Sequence, residues 1–209
     1  MEIQHTCSLG NLCHSSQFLK ENNLKKCSYP FDWVFSTCGS IIHCIQNDFN
    51  IFLDKSYYVG GGHKKCIHSY YKDWGISYIS FPHHNPLDDQ NDYNYYVRCV
   101  NRFRDLLQQE EHKLFIMINI NLDNYHEDLK TKVIDFNNKF SEYTKNYTLL
   151  SIFHIKDKNK HHHEFTHHDN IDFLELHTLS ESNGVRFGNY NDNVYLSNII
   201  KSKYKFNLS

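Results

Sequence analysis

The fold at the start of the chain depends on residues 6–19, which read Thr6-Cys7-Ser8-Leu9-Gly10-Asn11-Leu12-Cys13-His14-Ser15-Ser16-Gln17-Phe18-Leu19. A short apolar start runs into a glycine, and one helical face of the residues after it carries Leu12, Ser15, Ser16 and Leu19. The pattern predicts a bend at Gly10 and a helix over residues 12–22. Cys13 would then lie in the first helical turn.

Cys13 has two interpretations at this position. Unpaired backbone N–H groups and the partial positive charge of a helix start favour an anion, which would lower the pKa of the thiol and make it a nucleophile. Alternatively, Cys13 is one more small buried apolar residue, as most free cysteines are. The local pattern alone leaves both interpretations open.

The composition predicts one intracellular domain. The chain has 209 residues, 40% of them hydrophobic, with 15 Tyr and 15 Phe to fill a core. The formal net charge of −2 gives no strong field for nucleic acid or an anionic membrane, and no apolar run is long enough to cross a bilayer. The 7 cysteines are an odd number without CxxC spacing, so we expect reduced thiols and a cytoplasmic location.

The segment Tyr29-Pro30-Phe31-Asp32-Trp33-Val34-Phe35 places a carboxylate between large aromatic residues. If these aromatic side chains are buried, Asp32 is at least partly buried and needs a donor, such as a histidine or backbone amides, because an unpaired buried charge is strongly destabilising. Asp32 also precedes an apolar helical pattern and is placed to be its N-cap. The two interpretations are compatible.

Strands and helices alternate through the rest of the chain. Residues 75–81 alternate like a strand and run directly into Pro82-His83-His84, and a histidine at a strand end is well placed for a site. The remaining patterns predict helices over 40–53, 93–109, 125–142 and 193–202, and strands over 114–120, 147–155, 171–179 and 204–208. This mixture predicts an α+β or α/β domain.

The segment His163-Glu164-Phe165-Thr166-His167 matches the H-E-x-x-H pattern of zinc proteases, in which a helix places both histidines on one face. Its flanks are polar and contain no apolar stripe that would dock a helix. We therefore predict that residues 155–170 form a His-rich surface loop that binds a metal only opportunistically, through His163 and His167. No metal or other cofactor is expected, and a zinc-dependent hydrolase that uses the motif is the alternative.

Four separated segments form a pattern of their own. They are Ser8-Leu9-Gly10-x-x-Cys13, Tyr29-Pro30-Phe31-Asp32-Trp33, residues 75–81 with His83, and the helix of Arg98, Arg102 and Phe103 before an apolar strand. Over residues 5–120 this pattern resembles the papain-like cysteine peptidases, a family of domains found in bacteria and giant viruses. If the chain is viral, the expected location is the host cytoplasm or the virion.

The resemblance implies a fold and a catalytic pair. The fold would be a single α+β, papain-like domain over residues 1–209, in which an N-terminal nucleophile helix is followed by a mixed or antiparallel sheet with flanking helices. Cys13 would be the nucleophile and His83 its base. Where the family has His-Asp after the strand, this chain has His83-His84, so His84 is the alternative base. The order of the two residue types fits independently, since a cysteine nucleophile needs a histidine to take its proton.

A third residue would hold the imidazole in the correct tautomer. Asp32 is the first candidate, because its aromatic flanks indicate burial. Asn119 and Asn121 are the alternatives, since the orienting residue of papain-like folds usually follows the histidine. The oxyanion hole would combine the backbone N–H of Cys13 with one side-chain donor, for which the candidates are Gln4 and Asn11.

These residues predict a thiol hydrolase or peptidase that cleaves an amide, isopeptide or ester bond through a Cys-His dyad. The expected partner is a protein or a peptide-like substrate, and neither nucleic acid nor a membrane is expected. An acyltransferase of the same fold and a non-catalytic binding module are the alternatives, because a fold alone does not decide the function.

Overall fold

In the computed structural model, which describes residues 2–62, 64–72, 79–123, 127–157 and 159–208, helices and strands are mixed along the chain. The helices are His14–Glu21 (α1), Cys38–Gln46 (α2), Gln90–Gln108 (α3), Glu127–Phe140 (α4) and Tyr190–Lys203 (α5). The strands are Glu2–Ile3 (β1), His5–Ser8 (β2), Tyr58–Gly61 (β3), Lys64–His68 (β4), Ser80–Phe81 (β5), Lys113–Leu122 (β6), Tyr147–Lys156 (β7), His162–His168 (β8), Ile171–Thr178 (β9) and Lys205–Phe206 (β10). The predicted mixture of α and β structure is confirmed. No helix in these ranges has the length and apolar character that a membrane span requires.

The main sheet has the strand order β2-β6-β7-β9-β8. The first four strands of this order are parallel, and β8 pairs antiparallel with β9. The sheet is therefore mixed, as expected, but parallel pairs dominate it. Because parallel strands end at the same edge of a sheet, the segments that follow β2, β6, β7 and β9 meet at its carboxyl edge.

The central strands β6 and β7 explain why the sheet carries helices on both faces. Both are continuous apolar runs, and successive side chains along a strand point to opposite faces. One face packs against α1 and α5 through a cluster that includes Phe18, Ile116 and Leu196. The other face packs against α2, α3 and α4 through a cluster that includes Ile41, Phe103, Phe115 and Phe136.

The strands β3, β4 and β5 form a smaller antiparallel sheet, and Pro82 and His83 directly follow β5. The sequence predicted a strand over residues 75–81, of which residues 75–78 lie outside the described residues. Ser80–Phe81 is a strand, and Ser80 also bridges to Phe35. The sequence did not predict β3 and β4. Gly60 and Gly61 are typical of a loop, yet both lie in β3.

The predicted surface loop over residues 155–170 is wrong for His162–His168, which is the edge strand β8. Its backbone pairs with β9 from His162 opposite His177 to His168 opposite Ile171. The hairpin turn uses Asp169, which adopts a left-handed conformation with φ of +52°. Apart from the half-buried Phe165, the side chains of β8 are exposed. The strand consequently lacks the apolar alternation by which strands are predicted.

We expect Phe103→Ala to lower the free energy of unfolding by about 3–5 kcal/mol, because it would leave a cavity in the core. Phe103 is fully buried, and its ring contacts four aromatic rings, those of Tyr29, Phe31, Phe49 and Phe115. Urea unfolding measures the change. Tyr190 is 78% exposed, so Tyr190→Ala is the control and should change the free energy by no more than about 0.5 kcal/mol. Equal effects of the two substitutions would contradict this core.

Candidate active site

Cys13 and His83 face each other at the carboxyl edge of the main sheet. The Cys13 Sγ lies 3.6 Å from the His83 Nε2, although the two residues are 70 positions apart in the sequence. Cys13 is the N-cap residue of α1, and its side chain makes no capping hydrogen bond. Cys13 is only 2% exposed, whereas His83 is exposed. The structure thus brings together the predicted nucleophile and the predicted base.

The bend before Cys13 depends on Gly10. Both Gly10 and Asn11 have a φ of +75°, which turns the chain from β2 into the start of α1. A Cβ atom on Gly10 would lie 2.3 Å from the Ser36 Oγ and 3.0 Å from the Phe31 carbonyl oxygen. The positive φ disfavours any residue other than glycine at position 10, and the surrounding atoms leave no room for a side chain. The predicted bend at Gly10 is confirmed.

The Cys13 thiol is protonated near neutral pH. Burial and, to a lesser extent, the negative charge of Asp32 raise its pKa to about 11, although a backbone hydrogen bond at Cys13 and the charge of Lys25 act in the opposite direction. Of the two interpretations of Cys13, the lowered pKa is not supported, because burial disfavours the charged thiolate.

His83 has the opposite shift. Partial burial lowers the pKa of its imidazole, and the nearby charges of His84 and Lys65 lower it further. The ring is consequently neutral near pH 7 and able to accept a proton. The resting pair is therefore a thiol beside a neutral imidazole.

Asp32 is buried and its charge acts on the Cys13 thiol, but it does not hydrogen-bond to His83 in the described part of the chain. Its Oδ2 lies 2.8 Å from the Lys25 Nζ and accepts a hydrogen bond of 2.8 Å from the Tyr29 backbone N–H. To orient the His83 imidazole, Asp32 would have to contact it, and none of the described contacts joins these two residues. The N-cap interpretation is wrong, because Thr37 caps α2.

Lys25 connects Asp32 to both members of the pair. Its ammonium group donates a hydrogen bond of 2.7 Å to the Ser16 hydroxyl on α1, the helix that Cys13 precedes. The same group lies 4.6 Å from the centroid of the Trp33 ring, where a cation is attracted to the π face. The Trp33 ring in turn makes an edge contact with His83, at a centroid distance of 5.7 Å and an angle of 82°. Besides the direct effect of its charge on the Cys13 thiol, Asp32 therefore contacts α1 and the Trp33 ring indirectly, through Lys25.

The alternative base, His84, is bound to another residue. Its Nδ1 lies 2.7 Å from the Asp92 Oδ1, and its ring stacks on Tyr95. No hydrogen bond joins His84 to Cys13 in the described ranges. The geometry thus favours His83 over His84 as the base.

Two predicted amide residues lie together beside Cys13. The Asn11 Nδ2 donates a hydrogen bond of 2.8 Å to the Asn119 Oδ1. The Asn119 Nδ2 is shielded from solvent and has no hydrogen-bond partner among the described residues. The pair thus offers unused N–H donors at the sheet edge where Cys13 lies.

The other two predicted amides do not reach the pair. Gln4 precedes β2, and its Oε1 accepts a hydrogen bond from the backbone N–H of His112, just before β6. It therefore lies at the amino edge of the sheet, and the prediction of an oxyanion donor at Gln4 is wrong. The Asn121 side chain is bound to Ser182 instead. Its Nδ2 donates to the Ser182 carbonyl oxygen, and its Oδ1 accepts from the Ser182 backbone N–H.

A buried histidine cluster, which the sequence did not predict, fixes the start of α1. The His14 Nδ1 lies 2.8 Å from the Ser182 hydroxyl, 168 positions along the chain, and the His14 ring makes an edge contact with Phe187. His154 contacts the other side of this group through Phe187, and its Nε2 lies 2.8 Å from the Thr178 hydroxyl. Contacts between residues so far apart leave no local pattern in the sequence. The one available signal is that His14 is next to Cys13 in the sequence.

The zinc hypothesis requires a helix at residues 163–167, and the structure has a strand there. Along a strand, Glu164 points to the face opposite His163 and His167, and these two histidines are about 13 Å apart. The His163 Nδ1 lies 2.7 Å from the Tyr195 hydroxyl, and His167 pairs with Asp172. In the described ranges, no three His, Cys, Asp or Glu side chains are placed to hold one metal ion. The structure therefore does not support the alternative of a zinc-dependent hydrolase that uses this motif.

The chain was compared with known proteins at three levels. The model of a family described as "Putative papain-like cysteine peptidase" matches residues 4–163. The match contains Cys13, Asp32 and His83 and leaves out β9 and α5. No curated protein and no solved structure matches the chain.

We expect the free energy of unfolding to fall as the pH is lowered from about 6.5 towards 4, the range between the pKa of an unfolded histidine and those of the buried ones. Burial lowers the pKa of His14 to about 3 and that of His154 to about 4. The unfolded chain therefore binds more protons than the folded chain in this range, and each histidine adds a slope of up to about 1.4 kcal/mol per pH unit. Urea unfolding at several pH values measures the slope.

His14→Gln removes one of these titrating groups and should flatten the pH dependence, whatever its effect on stability near neutral pH. His168→Gln is the matched control, because the side chain of His168 is 46% exposed. A slope that is the same in the wild type and in His14→Gln would contradict the neutral, buried state of His14.

Proposed function

Since the chain belongs to the family described as "Putative papain-like cysteine peptidase", we propose that it is a thiol hydrolase with Cys13 as the nucleophile and His83 as the base. The substrate is a protein or peptide-like molecule with an amide, isopeptide or ester bond. The observation that carries the proposal is the 3.6 Å separation between the Cys13 Sγ and the His83 Nε2. In this proposal α1, which begins directly after Cys13, is the nucleophile helix of the papain-like fold.

The reaction begins with the thiol and the imidazole both uncharged. The His83 Nε2 accepts the proton of the thiol while the Cys13 Sγ attacks the carbonyl carbon, and a C–S bond forms. His83 then donates this proton to the leaving amine or alcohol as its C–N or C–O bond breaks. A water molecule then gives a proton to His83 while its oxygen attacks the thioester carbonyl. The C–S bond breaks and His83 returns the proton to the sulfur, which releases the acid and restores the thiol. These steps use only side chains of the chain and water.

The oxyanion of the tetrahedral intermediate requires fixed N–H donors. We assign one to the backbone N–H of Cys13 and the other to the side-chain amides of Asn11 and Asn119. The support is the Asn119 Nδ2, a shielded donor without a partner in the described part of the chain, hydrogen-bonded through its own amide oxygen to Asn11. In this proposal the oxyanion would accept a hydrogen bond from this donor.

His83 has no carboxylate or amide partner among its described hydrogen bonds, so we propose a dyad rather than a triad. The edge contact with Trp33 restricts rotation of the imidazole. Asp32 contributes by holding Lys25 against Trp33 and Ser16 rather than by contacting His83.

A non-catalytic binding module is the second candidate, and one observation favours it. Cys13 is almost completely buried and its thiol has a pKa of about 11, which is the state of an inert structural cysteine. The two candidates differ in whether His83 increases the reactivity of Cys13, and alkylation by a small reagent measures this directly.

We expect iodoacetamide to label Cys13 much faster than Cys38 near neutral pH. Both thiols have a pKa of about 11, and Cys38 is the more accessible of the two. Only Cys13 has a histidine at hydrogen-bond distance among the described contacts. His83→Ala should slow the labelling of Cys13 by about 100-fold, the contribution of a general base, and should leave Cys38 unchanged. Mass spectrometry of tryptic peptides gives both rates in one experiment.

If Cys13 is labelled as slowly as Cys38 and His83→Ala changes nothing, the hydrolase proposal fails and the binding module is favoured. If Cys13 is labelled rapidly in both the wild type and His83→Ala, Cys13 is reactive but His83 is not its base. His112→Ala is a control for the loss of a histidine, since His112 lies at the amino edge of the sheet.

A further inference from the structure

His83 makes few contacts that would hold it in place. In the described part of the chain its ring has one hydrogen-bond contact, with the Cys13 thiol, and one aromatic contact, with Trp33. The residue is exposed and lies in the short segment between β5 and α3. An exposed side chain on a connecting segment is mobile unless the neighbouring backbone is fixed. The position of His83 therefore depends on what fixes residues 82–85.

Asp92, in the first turn of α3, binds the two residues that follow His83. Its Oδ1 lies 2.7 Å from the His84 Nδ1, and its Oδ2 accepts a hydrogen bond of 2.7 Å from the Asn85 backbone N–H. Burial would raise the pKa of this carboxyl group, but the Asn85 amide and the His84 ring outweigh that effect and hold the pKa below its usual value. Asp92 is therefore ionised near neutral pH, and both of its oxygens are used.

The His84 ring is fixed on its other side by aromatic side chains of α3. It stacks on Tyr95 at a centroid distance of 4.2 Å and an angle of 22°, and it makes an edge contact with the buried Tyr96. A further bond, from the Asp89 backbone N–H to the Asn85 carbonyl, ties the same segment to the start of the helix. α3 is itself anchored in the core through Phe103.

We propose that Asp92 and His84 are positioning residues that hold His83 against the Cys13 thiol. This inference rests on the proposed function, because it takes His83 as the base. His84, which follows His83 in the sequence, thus attaches residues 82–85 to α3. A displacement of about 1 Å is enough to weaken proton transfer severely, so the attachment matters although neither residue touches the sulfur.

The first test is the rate at which iodoacetamide alkylates Cys13 in Asp92→Ala. We expect a decrease of about tenfold or more near neutral pH, because His83 would lose its fixed position. Asp105→Ala is the matched control, since Asp105 is an exposed aspartate on the same helix. Thermal unfolding and the labelling rate of Cys38 show whether the variant remains folded.

A pair of substitutions at His84 separates the hydrogen bond from the stacking. His84→Asn keeps an N–H donor near the position of the Nδ1, whereas His84→Phe keeps the ring on Tyr95 and loses the donor. We expect His84→Asn to retain most of the Cys13 labelling rate and His84→Phe to lose as much as Asp92→Ala. Equal rates in the two variants would overturn the role of the hydrogen bond.

The decisive comparison repeats Asp92→Ala in the His83→Ala background. A positioning role predicts no further decrease there, because the base that Asp92 positions is already absent. A further decrease of the same size would overturn the proposal, since Asp92 would then support the fold in general. If His83→Ala slows the labelling and Asp92→Ala does not, only the positioning role fails. If His83→Ala has no effect, the proposed function fails and the positioning role fails with it.

Discussion

The carboxylate of Asp32 is buried, with 1% of its side chain exposed, and the arrangement of the residues around Cys13 and His83 depends on how its charge is balanced. Burial raises the pKa of this group, and Lys25, the Tyr29 amide and the Ser16 hydroxyl oppose the shift. Removing one partner of a buried ion pair typically costs about 3–5 kcal/mol, so Lys25 has to remain in place. There its ammonium group also binds Ser16 on α1 and covers the Trp33 ring, which touches His83. One ion pair thus connects the helix that follows Cys13 with the aromatic ring that contacts His83.

The parallel sheet supplies the second constraint. β2 and β6 run in register, with Ser8 opposite Ile116, so the chain leaves both strands at the same edge. The bend at Gly10 then places Cys13 at the start of α1, and Asn119 at the end of β6 reaches Asn11. The burial that comes with this placement keeps the thiol protonated, with a pKa of about 11. In our proposal the sulfur therefore becomes a nucleophile only when His83 takes its proton.

Much of this arrangement follows from local sequence signals. The bend at Gly10, the helix after Cys13 and the apolar strands β6 and β7 are all visible as short patterns, and the family resemblance proposed His83 as the partner of Cys13. The polar residues around the site are less predictable, because their partners lie far away in the sequence. His14 meets Ser182 across 168 positions, and Gln4 was a reasonable oxyanion donor until the strand direction placed it at the amino edge. β8 was missed because its backbone pairing, rather than an apolar alternation, makes it a strand.

In the proposed mechanism Cys13 carries an acyl group that His83 helps to load. This is measured by mixing the protein with p-nitrophenyl acetate and locating the acetyl group by mass spectrometry at short times. We expect an initial burst of p-nitrophenol and an acetyl thioester on Cys13 that hydroxylamine removes, with loading strongly slowed in His83→Ala. Acetylation confined to lysines, or a Cys13 thioester that forms equally fast without His83, would rule out this mechanism.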